Sequence, residues 1–405
     1  MAQRKKLLFI TDVFPFPFDR GQHVRIWNLL AACGRAYDVT FIGPPPVDDD
    51  DRHEVEQFCT RVFYLDPQPA SWRTRALRIG HTARIGPGIP SLATMRRHEA
   101  YIAALNNVRT DNFDLIWAER LHIARLCGDF RKRTIIDLDD IEHIKIWRRI
   151  KARQQFKIDL HEAYRYLFFR HLELSWSRRF LASVVCSEND RKYLNRHGRR
   201  NTIVVPNAPN ARAQGDEPLT IRMHDRHSPL RVVFLGNVDS IPNADAIAFF
   251  ADEILPKLRA RIPDAILDVI GQGATVALRD RYASRVRFRG FVENLGEALA
   301  EYDVMVAPLR FGSGTKLKNL DSMAHGLPVV TTSVGAEGLQ LKHGENAWLA
   351  ETATEFVDGI RRIKDDPVLA HRLATNAYAL VRNQFSWDAI QKRLAEWLVS
   401  LEPQQ

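Results

Sequence analysis

The sequence predicts an α/β protein made of two doubly wound parallel sheets. Short apolar runs recur along the chain, separated by segments long enough for helices; the pattern restarts after residue 230; and a Pro/Asn/Gly-rich stretch lies between the two series. At about 100 to 200 residues per domain, 405 residues leave room for two domains, or three.

The first series opens with a strand from Leu7 to Thr11, a Pro/Phe-rich loop from Phe14 to Gly21, and Ile26, Leu29, Leu30 and Cys33 at helical spacing. A second strand from Val39 to Ile42 is closed by Pro44, Pro45 and Pro46. Val62 to Leu65, Leu115 to Ala118, Thr134 to Leu138, Ser183 to Cys186 and Thr202 to Val205 read as buried parallel strands, because each is short and almost wholly apolar. Pro206, Asn207, Pro209, Asn210, Gly215 and Pro218 mark a linker. The second series has strands at Arg231 to Leu235, Ala265 to Ile270, Val286 to Phe288, Val304 to Ala307 and Val329 to Thr332, with a helix from Ala244 to Arg261. These give domains at 1–208 and 209–385, and a C-terminal helix at 386–405 expected to pack back towards the first domain.

Composition narrows the function classes. Hydrophobic residues at 45% and charged residues at 26% exclude a disordered, collagenous or disulfide-stapled chain. Cys33, Cys59, Cys127 and Cys186 are widely spaced, without a CxxC or a Cys/His cluster, so reduced cytosolic thiols are expected rather than a structural zinc site. Asp12 cuts short the apolar run after Arg4, Lys5 and Lys6, and no apolar stretch approaches a membrane span; the expectation is a protein neither exported nor integral. Residues 1–215 hold 36 Lys+Arg against 24 Asp+Glu, whereas the remainder holds 22 against 25. A basic first half beside a near-neutral second half points to something anionic, and composition does not choose among nucleic acid, phosphorylated substrate and membrane surface.

In open α/β sheets ligands bind beyond the carboxyl ends of the strands, so the strand-end loops are where chemistry is expected. The most informative is 307–332, APLRFGSGTKLKNLDSMAHGLPVVTT. A strand runs into Gly312, Gly314 and Lys316, and a helix then carries Asp321. Glycines admit a phosphate close to backbone N–H groups, the helix N-terminus adds positive potential, and Lys316 adds a full charge, so a diphosphate cradle fits. The order Gly-Thr-Lys is not that of a Walker A loop. A plain Gly-rich turn is the alternative.

This segment, with FLGNVDSIPNADAI at 234–247, VRFRGFV at 286–292 and VGAEGL at 334–339, resembles the retaining glycosyltransferases of the GT-B fold, family four. FPFPFDRGQHVRIWNLL at 14–30, VVCSENDRKYL at 184–194 and VVPNAPN at 204–210 extend the resemblance over nearly the whole chain, in wording closest to exopolysaccharide-associated sugar transferases. It implies two Rossmann-like domains facing across a cleft, and transfer of a sugar from a nucleotide-diphosphate sugar, with retention, to a saccharide or lipid-linked acceptor. The donor is a substrate, and no further cofactor and no nucleic acid partner is implied.

The family's Glu-x7-Glu motif falls on Ser313 and Asp321, so Asp321 is assigned to the ribose hydroxyls. Its Arg-x4-Lys pair falls on Asn237 and Pro242, where both charges are missing. Lys316 is chosen for the diphosphate; Lys318 is taken to face away from it, since two residues so close on one turn are not expected to point inward together, and a solvated helix charge is one reading of it. The family's Val-His-Asp aligns with Asp137-Leu138-Asp139-Asp140, placing Asp139 where a His usually contacts the donor sugar. The expected catalytic set is Asp139, Lys316 and Asp321, and the expected donor-binding set is Gly21, Asn237, Val292, Gly312, Ser313, Gly314, Thr315, Lys316 and Asp321. Clustered carboxylates at a strand end also suit a divalent cation, but no metal is assigned, because Lys316 and a helix N-terminus already offset the diphosphate charge. Two other classes remain: a non-catalytic sugar-nucleotide-binding protein, favoured by the missing charges, and a nucleotide-sugar epimerase of the same fold.

Residues 143–180 hold ten Lys/Arg, three Asp/Glu and aromatics including Trp147, Phe156, Tyr164, Phe168 and Trp176. This segment reads either as an amphipathic surface on an anionic membrane, the place of a polyprenyl-linked acceptor, or as a core helix with solvated arginines. Cytoplasmic location, peripheral to the inner face of the membrane in the first case, follows.

Overall fold

The computed structural model describes residues 4–16, 21–65, 92–108, 113–152, 160–199, 201–209, 229–312 and 315–401. Ser313 and Gly314, two of the residues assigned to the donor, lie outside them, as do Phe156 and the linker positions Asn210, Gly215 and Pro218. Two compact units are present: Met1–Pro206 together with Ile390–Gln405, and Asn207–Ala389.

The first unit holds a seven-stranded parallel sheet. Its strands are β1 (Lys6–Ile10), β2 (Asp38–Gly43), β3 (Arg61–Tyr64), β4 (Leu115–Glu119), β5 (Thr134–Asp139), β6 (Ala182–Val185) and β7 (Thr202–Val204), in the spatial order β3-β2-β1-β4-β5-β6-β7. Leu8, Ile10, Ile116, Ala118 and Ile136 share one face with Leu105 and Ile123. The other face carries Phe9, Phe41 and Trp117, whose rings stack with Phe9 in the middle at centroid separations of 6.2 and 6.1 Å. Both faces are buried, which is why these strands read as unbroken apolar runs.

The second unit holds a six-stranded parallel sheet of β8 (Arg231–Leu235), β9 (Ile266–Ile270), β10 (Val286–Gly290), β11 (Val304–Ala307), β12 (Val329–Thr331) and β13 (Trp348–Leu349), in the order β10-β9-β8-β11-β12-β13. Val232, Phe234, Val304 and Val306 pack on Phe250, Phe356 and Ile360. The alternate residues Val233, Leu235, Met305 and Ala307 pack on Leu320, Met323 and Leu327. The helix expected over 244–261 is instead Ile241–Phe249 and Leu255–Arg259, joined by a wider turn at Phe250–Ile254. There the Leu255 N–H donates five residues back, to Phe250 C=O, and the adjacent Pro256 has no N–H to donate.

Strand order reverses at β1/β4 in the first sheet and at β8/β11 in the second. At such a point the connections leave in opposite directions and open a crevice at the strand ends. The helix Trp387–Ser400 returns the chain to the first unit, where the Tyr37 hydroxyl donates to Leu398 C=O at 2.8 Å and the Gln391 amide to Asn28 Oδ1 at 2.8 Å. Helices Glu142–Ala152 and Leu160–Trp176 pack on each other, with the Trp147 and Tyr166 rings 5.3 Å apart. Among the described residues no helix is long and apolar enough to cross a membrane.

Candidate functional site

At the β8/β11 reversal the chain leaves β8 through Gly236 and Asn237 and leaves β11 through Pro308 to Gly312. Gly236 has φ +138°, and a Cβ there would lie 2.7 Å from Asn243 Nδ2 and 3.0 Å from Lys318 Nζ. Neighbouring Gly271, φ +148°, brings its Cα so near the β8 exit that a Cβ would lie 2.2 Å from Gly236 O. Glycine is required at both places. The Asn243 amide donates to Asn237 C=O at 2.7 Å, and the Gln272 N–H to Asn237 Oδ1 at 3.3 Å, which fixes the turn.

Lys316 occupies the N-cap position of the helix Leu317–Ala324, without a side-chain capping hydrogen bond, and is buried. A Cβ on Gly312, φ +142°, would lie 3.8 Å from its Nζ. Lys318 does not face away, contrary to the expectation that two lysines on one turn cannot both turn inward. Its ammonium donates to Asn243 Oδ1 and lies 4.1 Å from the centroid of the Phe234 ring. Burial, and next the charge of Lys316, pull its pKa down to about 7. The helix packs on β11 and β12, and one turn of it presents Lys316 to the loop at Gly312 and Lys318 to the β8 exit at Gly236.

The other assigned residues are distributed as follows. Asn237 is exposed in the turn, Thr315 is half-buried, and half-buried Asp321 lies one helical turn beyond Lys318. Val292 packs partly against the Leu299 and Met305 side of the second core. Gly21 is not in a loop but is the first residue of the helix Gly21–Ala36.

The reversal at β1/β4 in the first unit carries a polar cluster. Arg25, which lies on the buried face of its helix, donates through Nη2 and Nε to the two Asp137 oxygens at 2.8 and 2.9 Å, and through Nη1 to Val205 C=O at 2.8 Å. Burial works against its charge, but Asp137 and Asp139 more than offset this, so its pKa is raised. Asp139 ends β5 at φ +55°, 3.6 Å from Arg25 Nε, and burial raises its carboxyl against the pull of that guanidinium. Arg120, at the end of adjacent β4, has φ +67°. Two non-glycine residues at positive φ on neighbouring strand ends are the kind of backbone strain that gathers at functional sites. Glu119 beside it is buried, accepts from Gln22 and Arg120 at 3.2 Å each, and leaves Oε2 without a hydrogen bond. Burial pushes its carboxyl up to about 8, with Arg120 pulling the other way.

Ligand atoms of Asp139, Asp140 and Cys186 lie within 4.8 Å of one another. Lys145 Nζ, however, is 2.9 Å from Asp140, and the Cys186 thiol donates to that carboxylate at 3.0 Å. Burial, and then Asp140 and Asp139, hold the thiol well above its usual range. Resident cations and a protonated thiol already answer these carboxylates, and the set fits a divalent ion poorly.

Residue spacing did not reveal Glu119, Arg120 or the Asn243 amide. For Arg25 a signal existed: it falls on the same helical stripe as Ile26, Leu29 and Cys33, so its charge had to find a buried partner.

Residues 229–366 match the family model of glycosyl transferases group 1. The second unit carries a glycosyl transferases group 1 domain. A phosphatidyl-myo-inositol mannosyltransferase of Mycobacterium tuberculosis is 30% identical over 174 residues, 40% of this chain and 45% of that protein. A 44.6 kDa protein in the cps region of Klebsiella pneumoniae is 26% identical over 177 residues, 42% of this chain and 45% of that protein. The chain thus spans under half the length of these relatives. Anabaena HepE, solved in complex with UDP and glucose, superimposes with a TM-score of 0.63 at 17% identity, covering 98% of this chain and 100% of HepE. That likeness shows the fold, which is GT-B. Within the glycosyl transferases group 1 domain the reversal at β8/β11 gathers Gly236, Gly312, Lys316 and Lys318, all inside the matched residues.

Proposed function

We propose that the protein is a glycosyltransferase that moves a sugar from a nucleotide-diphosphate sugar to a saccharide or lipid-linked saccharide acceptor, with retention of anomeric configuration. The observation that carries this is the pair of lysines beside two left-handed glycines at the strand-order reversal of the family-matched unit. Backbone that close to a ligand, with two cations, suits a diphosphate and offers charge where a diphosphate leaving group develops it. In our reading Lys316 holds the diphosphate, with Gly312 and Thr315 approaching it as backbone, and Ser313 and Gly314 are assigned to the same donor. Asp321 takes the ribose hydroxyls, Asn237 and Val292 border the nucleotide, and Gly21 and Asp139 serve the sugar and acceptor side. The acceptor hydroxyl attacks the anomeric carbon from the face the diphosphate leaves. As the sugar–phosphate bond breaks, the hydroxyl proton passes to the departing phosphate oxygen.

The cps-region relative supports a role in polysaccharide biosynthesis. The free thiols support the cytoplasm. Exposed Trp147 and Leu167, on the two helices of the basic aromatic stretch, support contact with an anionic membrane. Calorimetric titration with UDP, GDP and ADP and with their nucleosides tests the donor site. Lys316→Ala is expected to weaken nucleoside diphosphate binding by about 1.5–3 kcal/mol and nucleoside binding little. Equal losses for both ligands would give Lys316 a structural role instead. Incubation with sugar donor alone distinguishes transfer, which needs an acceptor, from epimerisation, which does not.

A further inference from the structure

The family's Arg-x4-Lys charges are missing at Asn237 and Pro242, yet the turn they would occupy is not without a cation. Lys318 arrives there from the far side, over the end of β11. Its ammonium lies against Gly236, the Phe234 ring and the Asn243 amide oxygen, so it sits on the turn that runs from Gly236 to Asn243. We propose that Lys318 is a second phosphate-binding cation of the donor site and that a bound diphosphate completes its environment. This rests on the reading of the β8/β11 reversal as a nucleotide-sugar pocket.

The electrostatics agree with the geometry. Facing the ammonium are Lys316 on its own turn, Phe234 and the Gly236 backbone at the end of β8, and Asn243 of the helix Ile241–Phe249; Asp321 lies one turn further along its own helix. An amide oxygen and an aromatic face stabilise an ammonium less than a carboxylate does. No carboxylate among the described residues offsets the charge of Lys318, and its pKa is drawn down by burial and by Lys316. A half-buried lysine beside a second lysine, against backbone that glycine lets come close, is unfavourable unless an anion arrives. The anion that arrives restores the charge: with a value of about 7, Lys318 is largely neutral at pH 8 and takes up a proton when the diphosphate binds.

The test uses the full chain titrated calorimetrically with UDP, GDP and ADP at pH 8, above the last phosphate ionisation of the free nucleotides, in two buffers of contrasting ionisation enthalpy. The wild type is expected to take up close to one proton per nucleotide bound. Lys318→Met is expected to lose at least about tenfold in affinity together with the proton uptake. Lys318→Arg, which stays charged at every pH used, is expected to retain most of the affinity while losing the uptake. Unchanged affinity in Lys318→Met, or equal proton uptake in wild type and Lys318→Arg, overturns the assignment and leaves the donor site standing. Failure of the wild type to bind any of the three nucleotides overturns the donor site and Lys318's role with it.

Discussion

Arg25→Met isolates a buried ion pair of the first unit. The guanidinium and the Asp137 carboxylate are 1% and 0% exposed and share two hydrogen bonds, at 2.8 and 2.9 Å. Met fills most of the same volume but leaves Asp137 in the sheet with no countercharge of its own. Removing one partner of such a pair costs about 3–5 kcal/mol, because the remaining charge must stay desolvated or take a proton. At about 2–4 °C per kcal/mol for a unit of this size, Tm should fall by roughly 6–20 °C. Removing both charges is expected to cost far less. The Asp139 N–H, which donates to Asp137 Oδ1 at 3.0 Å, is then orphaned, offsetting at about 1–3 kcal/mol whatever desolvation is relieved. The double variant Arg25→Met/Asp137→Leu should therefore be more stable than Arg25→Met, with a coupling energy of about 2 kcal/mol or more. Amide hydrogen exchange of β4 and β5 reads the first unit separately from the second. A loss below about 1 kcal/mol in Arg25→Met, or strict additivity in the double variant, would refute the picture of a desolvated pair.

Gly271→Ala is expected to cost at least about 1–3 kcal/mol in stability and to weaken nucleoside diphosphate binding, because its Cβ would meet Gly236 O at 2.2 Å. Gly290→Ala, at φ +78° with open space around the new Cβ, should cost about 1–2 kcal/mol and spare binding; equal binding losses would remove the β8–β9 contact from the site. Glu119 has a folded-state pKa of about 8 against 4.5 in the unfolded chain, so the folded state binds the extra proton between those values. Its stabilising contribution is full below about pH 4.5 and is lost as pH rises through 8. Glu119→Gln should therefore be more stable than wild type near pH 9 and show a flatter Tm profile between pH 5 and 8, measured by thermal melts; parallel profiles would contradict this.

Much of the fold is legible because both sheets are covered on both faces, so strands such as Val304–Ala307 leave continuous apolar runs. β13 escapes because Trp348–Leu349 is two residues long and gains its identity only by pairing with β12. The cradle around Gly312 and Lys316 is visible as glycines and a cation after a strand. Lys318 is not, since a helical wheel sets it opposite Leu320 and Met323 and nothing local says that the β8 exit passes over that side. Arg25 and Asp137 lie 112 residues apart, and only the order β1-β4-β5 makes them neighbours. The positive φ of Arg120 and Asp139 is likewise imposed by where β4 and β5 end side by side.

The last helix of the chain belongs to the first unit, with its Leu398 carbonyl taking the Tyr37 hydroxyl proton and its Gln391 amide reaching Asn28. During synthesis, residues up to 206 emerge first but lack the segment that covers this face of the helix Gly21–Ala36. The second unit is contiguous from Asn207 to Ala389, whereas the first must wait with Tyr37 and Asn28 uncovered until the whole second unit has been made. The half that is born first is thereby completed only by the last helix to be made.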